Sequence, residues 1–236
     1  MTSKSVACAL VACTGKLILL STVMFHKAAL NMTFKIQQLF LNLSVTVEAK
    51  CQEANLHSDI GLVLDVSGSV GSHWPEEKQF AIDLVETIGL SQSGGHVSVI
   101  LFDHKSTLDI KFTDFFTNKE FETKLHALKH RKGGTEIATA LNLTLTEMFQ
   151  ETNGMRPANP QTCVLMTDGK SNSAVDFKHF KNSFQAANIK LLVVGIGKNL
   201  DAGLADLVQT SDDLIVVNDF DALNANDFFE KSTFCN

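Results

Sequence analysis

From Asp59 onward, short apolar runs alternate with amphipathic stretches, and this alternation restricts the fold more than any other feature of the sequence. Ile60–Leu64 carries no polar side chain, as expected of a strand buried on both faces. His96–Phe102, Thr162–Thr167, Ile189–Gly197 and Leu214–Val217 read as further strands, while "STLDIKF" alternates in the manner of an edge strand. Between them lie helical patterns. Pro75 suits a helix first turn, Glu76 and Glu77 favour its positive end, and Ala81, Leu84, Val85 and Ile88 follow at helical spacing. A helix is expected around Lys119–His130 and another around Glu136–Phe149. Phe177, Phe180, Phe184 and Ala187 line the face of a further helix, closed by Asn188 as a left-handed cap. Strand–helix alternation means a parallel sheet covered on both sides, and right-handed crossovers leave few topologies. The expected fold is α/β: a doubly wound, Rossmann-like, mostly parallel six-stranded sheet with one antiparallel edge strand and helices on both faces.

Such sheets bind ligands beyond the carboxyl ends of their strands, where the strand order reverses. Asp65 and Asp168 each follow an apolar run, so both fall at that edge. Three segments converge there: Asp65-Val66-Ser67-Gly68-Ser69, Gly133-Gly134-Thr135 and Thr167-Asp168-Gly169. They supply carboxylates and hydroxyls, with glycines that let the loops approach closely. No cysteine or histidine occupies these positions, which makes zinc a poor fit. All-oxygen ligation suits a hard cation, and a compact octahedral set suits Mg²⁺ or Mn²⁺ better than Ca²⁺. A strand therefore ends on Asp65 because a cation sits above it, and the glycines fold Ser67 and Ser69 back onto the same ion.

"DVSGSVG", "KGGTEIATAL" and "VLMTDGKSN" together resemble the metal-ion-dependent adhesion site of von Willebrand factor type A domains, over about Asp59 to Lys231. "ETNGMRPANPQTCVLMTDGKSN" is most similar to the extracellular, matrilin- and collagen-associated members. The resemblance implies that Ser67 and Ser69 bind metal through their hydroxyls and that Thr135 binds directly or through water. It also implies that Asp65 and Asp168 act largely through water. A partner's Asp or Glu would then complete the coordination. At "SHWPEEK", His73 and Trp74 stand where the family often has asparagine and phenylalanine. Trp74 is expected to pack the first helix on the sheet, and His73 to lie in a solvated loop rather than line the metal face. Lys124, Lys129, His130, Arg131 and Lys132 read as cations at a helix C-terminus, or as a basic rim for an acidic protein or sulfated glycan.

Residues 1–49 differ in composition, with Lys4, Lys16, Lys27 and Lys35 against the single acid Glu48. Leu17–Phe25 falls far short of the ~20 residues a membrane span needs. From Met32, "MTFKIQQLFLNLSVTVEA" has the basic start, apolar centre and small-residue end of a signal peptide, cleaved after Ala49. Translation is then expected to begin at Met32, leaving residues 50–236 as one secreted domain; the alternative is an ordinary amphipathic N-terminal element. Removal of the first 49 residues, which carry a net +3, takes the formal charge from −6 to −9. That balance argues against nucleic acid as partner, and no apolar tail follows Phe234. Cys51 and Cys235 lie at the two ends of the folded region, where one disulfide would close the domain in an oxidising compartment. Cys163, inside an apolar run, reads as a buried free thiol or an intermolecular partner. Of the glycosylation sequons, Asn142 alone survives processing.

Catalysis is disfavoured. A strand-end aspartate nucleophile would want a second acid where Ser67 stands, neither Ser67 nor Ser69 sits in Gly-x-Ser-x-Gly, and no phosphate-binding loop with its lysine is present. The expectation is a secreted, metal-dependent adhesion or matrix-binding module that captures an Asp or Glu of an extracellular protein, collagen-like or another matrix protein. The alternatives are a structural matrix protein in which the metal only stabilises the domain, and an intracellular scaffold domain.

Overall fold

The computed structural model describes residues 57–225, 227 and 228, together with Lys35. The chain divides into two compact units, Met1–Thr46 and Val47–Asn236, and the sheet described below belongs to the second. The Met32 start, the Ala49 cleavage point and the Cys51–Cys235 pair lie outside the described residues.

The sheet is six-stranded: β1 (Asp59–Asp65), β2 (His96–Phe102), β3 (Ser106–Ile110), β4 (Gln161–Thr167), β5 (Ile189–Ile196) and β6 (Leu214–Val217), in the order β3-β2-β1-β4-β5-β6. Every pairing is parallel except β2 with β3, which is antiparallel at the edge. The doubly wound fold expected from the apolar runs is therefore the fold observed. β1 is central, with Leu62 opposite Val99 on one side and Val164 on the other, and all its residues are buried.

The period of a strand splits these side chains between two cores. Ile60, Leu62 and Leu64 belong with Phe80, Leu84, Val85 and Ile88 of α1 (Trp74–Ile88) and with Phe121 and Leu125 of α2 (Asn118–Ala127). Val63 belongs with the opposite core, which holds Ile137 and Leu141 of α3 (Ile137–Leu143) and Phe177 and Phe184 of α4 (Phe177–Ala186). Leu204 and Leu207 of the short α5 (Leu204–Leu207) complete that side. Each fully buried aliphatic or aromatic side chain contributes about 1.5–3 kcal/mol, so both cores hold the sheet edge rigid beneath its loops.

Pro75 occupies the first turn of α1, as its fixed φ predicts, and Trp74 is buried with its Nε1 donating to the Leu128 carbonyl at 3.2 Å. Asn188 takes the left-handed conformation, φ 56°, after α4. Two helices end earlier than their sequence pattern suggests. The Thr117 hydroxyl caps α2 by accepting from the Glu120 amide, but the chain turns extended at Leu128, so Lys129–Lys132 form a loop rather than the helix end expected through His130. The pattern expected to run to Phe149 as one helix closes α3 at Leu143 and widens into a π-turn over Thr144–Met148, where the Phe149 amide reaches back to the Thr144 carbonyl. That turn presses on β1 at Gly61: a Cβ there would lie 2.3 Å from the Met148 sulfur. Only glycine fits so close an approach.

Candidate metal centre

The strand order reverses between β1 and β4, whose carboxyl ends carry Asp65 and the Thr167-Asp168-Gly169 turn. Asp65 is wholly buried. Its Oδ1 accepts from the Ser67 amide at 2.9 Å, which folds the chain back over the strand end, and its Oδ2 accepts from the Thr167 hydroxyl at 2.8 Å. A chain of side-chain contacts then runs outward. The Ser67 and Ser69 hydroxyls lie 3.0 Å apart, and the Ser69 hydroxyl donates to Asp168 Oδ1 at 2.7 Å. The Thr135 Oγ1 and Ser69 Oγ atoms lie 3.8 and 3.9 Å from the point a Cβ on Gly169 would occupy. Asp65, Ser67, Ser69, Thr135 and Asp168, the five residues expected from sequence, are thus brought together from three loops. Asp65, Ser67 and Thr135 are buried, Asp168 is half-buried and Ser69 is exposed, so the cluster opens to solvent on one side.

The loop from Lys129 to Thr135 is tied to the aspartate loop by its backbone. The Lys132 amide donates to the Val66 carbonyl at 3.0 Å, and the Gly68 amide to the Gly133 carbonyl at 2.8 Å. The His130 Nε2 lies 2.6 Å from the Ser67 carbonyl. Lys132 holds φ 66°, a left-handed conformation uncommon outside glycine, to make this turn. The third loop is tied in the same way: the Thr135 amide donates to Asn172 Oδ1, the Asn172 amide returns to the Thr135 carbonyl at 2.7 Å, and the Ile137 amide donates to the Ser171 hydroxyl at 3.2 Å. Asn172, Ser171 and His130 position the loops, and only "KSN" and "KHRKGG" being loop residues hinted at them in the sequence.

Glu77 departs further from its sequence pattern. Its place in the first turn of α1 suggests a solvated acid facing the helix dipole, yet it is only 1% exposed. Its Oε1 accepts from the Asp65 amide at 3.1 Å, and its Oε2 has no hydrogen-bond partner.

The electrostatics follow from burial. Desolvation raises the Asp65 carboxyl to about 6, against hydrogen bonds from Ser67 and Thr167 that favour the charged form, and the nearby Asp168 adds to the rise. Asp168 is raised by desolvation too, moderated by the Ser69 hydroxyl. Glu77 is raised well above the usual carboxylate range by burial, then by the charges of Asp65 and Asp168. Acids crowded this way, beside hydroxyls with spare lone pairs, form a site short of positive charge, and a hard dication fits that donor set. Among the described residues no group of three or more His, Cys, Asp and Glu side chains is placed to hold a metal ion.

His73 is exposed, but it lies in a 3-10 turn, Gly71–His73, close enough to Asp168 to act on it electrostatically rather than in a loop away from the cluster, and it stacks on Phe220, ring centroids 4.7 Å apart. Cys163 is a buried free thiol. Asn142 is exposed on α3, whereas Thr144 of its sequon is buried and donates its hydroxyl to the Ala140 carbonyl at 2.8 Å. No helix among the described residues is long and apolar enough to cross a membrane.

A doubly wound α/β domain with a hydroxyl–carboxylate cluster at its switch point defines the class of protein. The von Willebrand factor type A domain model matches residues 59–231, and the chain belongs to that family. It is 26% identical to cuticlin-6 of Caenorhabditis elegans over 139 residues, covering 58% of this chain and 23% of that protein. It is 25% identical to matrilin-4 of Mus musculus over 171 residues, covering 71% of this chain and 27% of that protein. Among solved structures, proximal thread matrix protein 1 from the mussel byssus, with a zinc-occupied MIDAS motif, matches with TM-score 0.71 and 22% identity, covering 77% of this chain and 48% of that one. That last likeness is one of fold. The chain thus spans about a quarter of the length of these two curated relatives and about half of the solved neighbour.

Proposed function

We propose that this chain is a secreted adhesion or matrix-binding module, residues 50–236, that captures a partner's carboxylate on a divalent cation, Mg²⁺ or Mn²⁺. The observation that carries the reading is the convergence of Asp65, Ser67, Ser69, Thr135 and Asp168 from three loops onto one solvent-open cluster at the switch point. Membership of the family and relatives such as matrilin-4 support it.

In this reading the Ser67, Ser69 and Thr135 hydroxyls face the cation, and Asp65 and Asp168 hold the shell in place. When bound, the cation supplies a Lewis-acidic position for an Asp or Glu side chain of an extracellular protein, collagen-like or another matrix component. The chain's own contribution is preorganisation. Asp65 fixes the Ser67 amide, Thr167 fixes Asp65, and Asn172 fixes Thr135, so little ordering remains to be done on binding. Neutral hydroxyls nearest the cation would leave much of its charge for the partner.

Binding is favoured over catalysis because neither serine hydroxyl is paired with a histidine or lysine. Ser67 meets Ser69, Ser69 meets the acid Asp168, and His130 faces the Ser67 carbonyl rather than its hydroxyl.

The test is calorimetric titration of Mg²⁺ and Mn²⁺ into the parent and into Asp65→Ala and Ser67→Ala proteins checked for folding. Zn²⁺ and Ca²⁺ belong in the same series, Zn²⁺ because the mussel relative's motif holds it. Saturable uptake lost in both variants supports the reading, and a folded parent that takes up no divalent cation refutes it.

A further inference from the structure

Cations at the end of a helix are ordinarily accounted for by the carbonyls they face. Lys124 and His126, in the last turn of α2, fit that account. Lys129, Arg131 and Lys132 do not, because the chain leaves the helix at Leu128 and all three stand on the loop beyond it. Among the described residues none of the three forms an ion pair, and Arg131 Nε and Nη2 meet no hydrogen-bond acceptor. From Lys124 to Thr135 the sequence holds no acid, in a chain whose formal charge is −6. Lys132 takes φ 66°, so a lysine stands at the position of this turn that glycine would fill without strain. What these cations border is the metal cluster. The Lys132 amide is bonded to the Val66 carbonyl and the His130 ring to that of Ser67. His130 is also near enough to Asp168 to act on it electrostatically. Lys170, exposed two residues past Asp168 and likewise in no ion pair among the described residues, adds a cation from the third loop.

We propose that Lys129, Arg131, Lys132 and Lys170 form a docking rim for an acidic protein segment, one in which the carboxylate captured at the cluster is flanked by further Asp or Glu side chains. The inference rests on the metal-binding reading above and deepens it by naming the kind of sequence in which the captured residue stands. Lys129, Lys132 and Lys170 are exposed and Arg131 is half-buried, so the rim is open to a partner. A protein segment is favoured over a sulfated glycan because the rim is short and shares its edge with a site for a single carboxylate. One extended chain, rising about 3.3 Å per residue, can engage both. The net negative charge of the rest of the chain turns such a segment away elsewhere and toward this face. Rim charges of this kind add partner choice and faster encounter, with a modest gain in affinity.

The experiment uses the full chain and two labelled peptides followed by fluorescence anisotropy. One peptide carries a single aspartate among glycines, and the other carries that aspartate flanked on each side by glutamates. Mg²⁺ uptake is first measured by calorimetry for each protein. Both peptides are then titrated at saturating Mg²⁺ into the parent and into a Lys129→Gln, Lys132→Gly double variant, glycine being suited to φ 66°. Exposed ion pairs are individually weak, so the flanked peptide should bind about 3–10-fold tighter to the parent at low salt. That preference should vanish in ~0.5 M salt, where screening is short-ranged, and in the double variant. A flanked peptide that binds no tighter than the single-acid one, to a parent that takes up Mg²⁺, overturns this inference and spares the reading beneath it. A preference kept by the folded double variant does the same. Heparin binding that is lost in the double variant but indifferent to chelator, with the two peptides equal, gives the rim to sulfated glycans and equally overturns the inference. A parent that takes up no divalent cation overturns both. If the double variant does not fold, the parent's salt dependence decides, and a preference that survives ~0.5 M salt refutes the electrostatic rim.

Discussion

The buried ion pair at the far end of β1 gives the most exposed prediction about stability. Asp59 is wholly buried, and its carboxylate accepts from the Arg156 amide at 2.6 Å, from Arg156 Nε at 2.8 Å and from Arg156 Nη2 at 2.5 Å. The guanidinium is completed by carbonyls, Gly94 at 2.8 Å from Nη1, and His57 and Ser58 at 3.2 and 3.3 Å from Nη2. Asp59→Ala leaves a cation with carbonyls alone and a backbone amide with no acceptor. Breaking such a pair on one side costs about 3–5 kcal/mol. The Arg156 side chain is 25% exposed, so water reaches the freed guanidinium and the lower end, about 3 kcal/mol, applies. At about 2–4 °C per kcal/mol for a domain of this size, the melting temperature should fall by about 6–12 °C. Urea unfolding followed by fluorescence of Trp74, the only tryptophan, measures it directly. Cation affinity should not change, because the pair sits a full strand, about 20 Å, from the cluster. A loss under about 1 kcal/mol would refute the argument by placing the pair among exposed ones.

Three further outcomes are expected. In chelator, the Asp65 carboxyl, raised from 3.8 to about 6, binds its proton more tightly in the folded state than in the unfolded one. The stability it contributes is therefore full below pH ~4 and lost as pH rises through about 6, by about 3 kcal/mol relative to Asp65→Asn; parallel urea midpoints for the two proteins from pH 4 to 7 would contradict this. Gly61→Ala should destabilise by about 1–3 kcal/mol, because its methyl group would meet the Met148 sulfur at 2.3 Å and the Phe149 ring at 2.9 Å, and an unchanged melting curve would show the π-turn to be free to move. Burial pushes the Cys163 thiol up, so it should resist thiol reagents in the native state and react only on unfolding; rapid native labelling would place it elsewhere than in the core.

Local chemistry explains what could be read in advance. β1 and β4 are legible because strands buried on both sides need unbroken apolar runs, and the charge that ends each run marks the carboxyl edge. The convergence of Asp65, Ser67, Ser69, Thr135 and Asp168 was legible because they follow apolar runs or sit beside the glycines that let loops approach one another. The end of α2 was not, since nothing local forbids helix through His130. What stops it at Ala127 is the hold of the aspartate loop on Lys132 and Gly133, a contact between segments more than sixty residues apart. The inward turn of Glu77 was hidden for the same reason: its reason to be buried is the Asp65 amide, twelve residues back and on another element.

The placement of the cluster on β1 also determines how the domain bears load. Tension arriving through the Asp65–Ser69 loop enters the central strand along its own axis. β1 is hydrogen-bonded by parallel neighbours on both sides, in register from Asp59 to Asp65 with β2 and from Asp59 to Leu64 with β4. Its far end is riveted by Arg156 to Asp59. Pulling on it therefore shears two ladders at once, whereas the edge strands β3 and β6, each bonded on one side only, would peel one bond at a time. A tether fastened to this loop would load the sheet along a strand held on both sides.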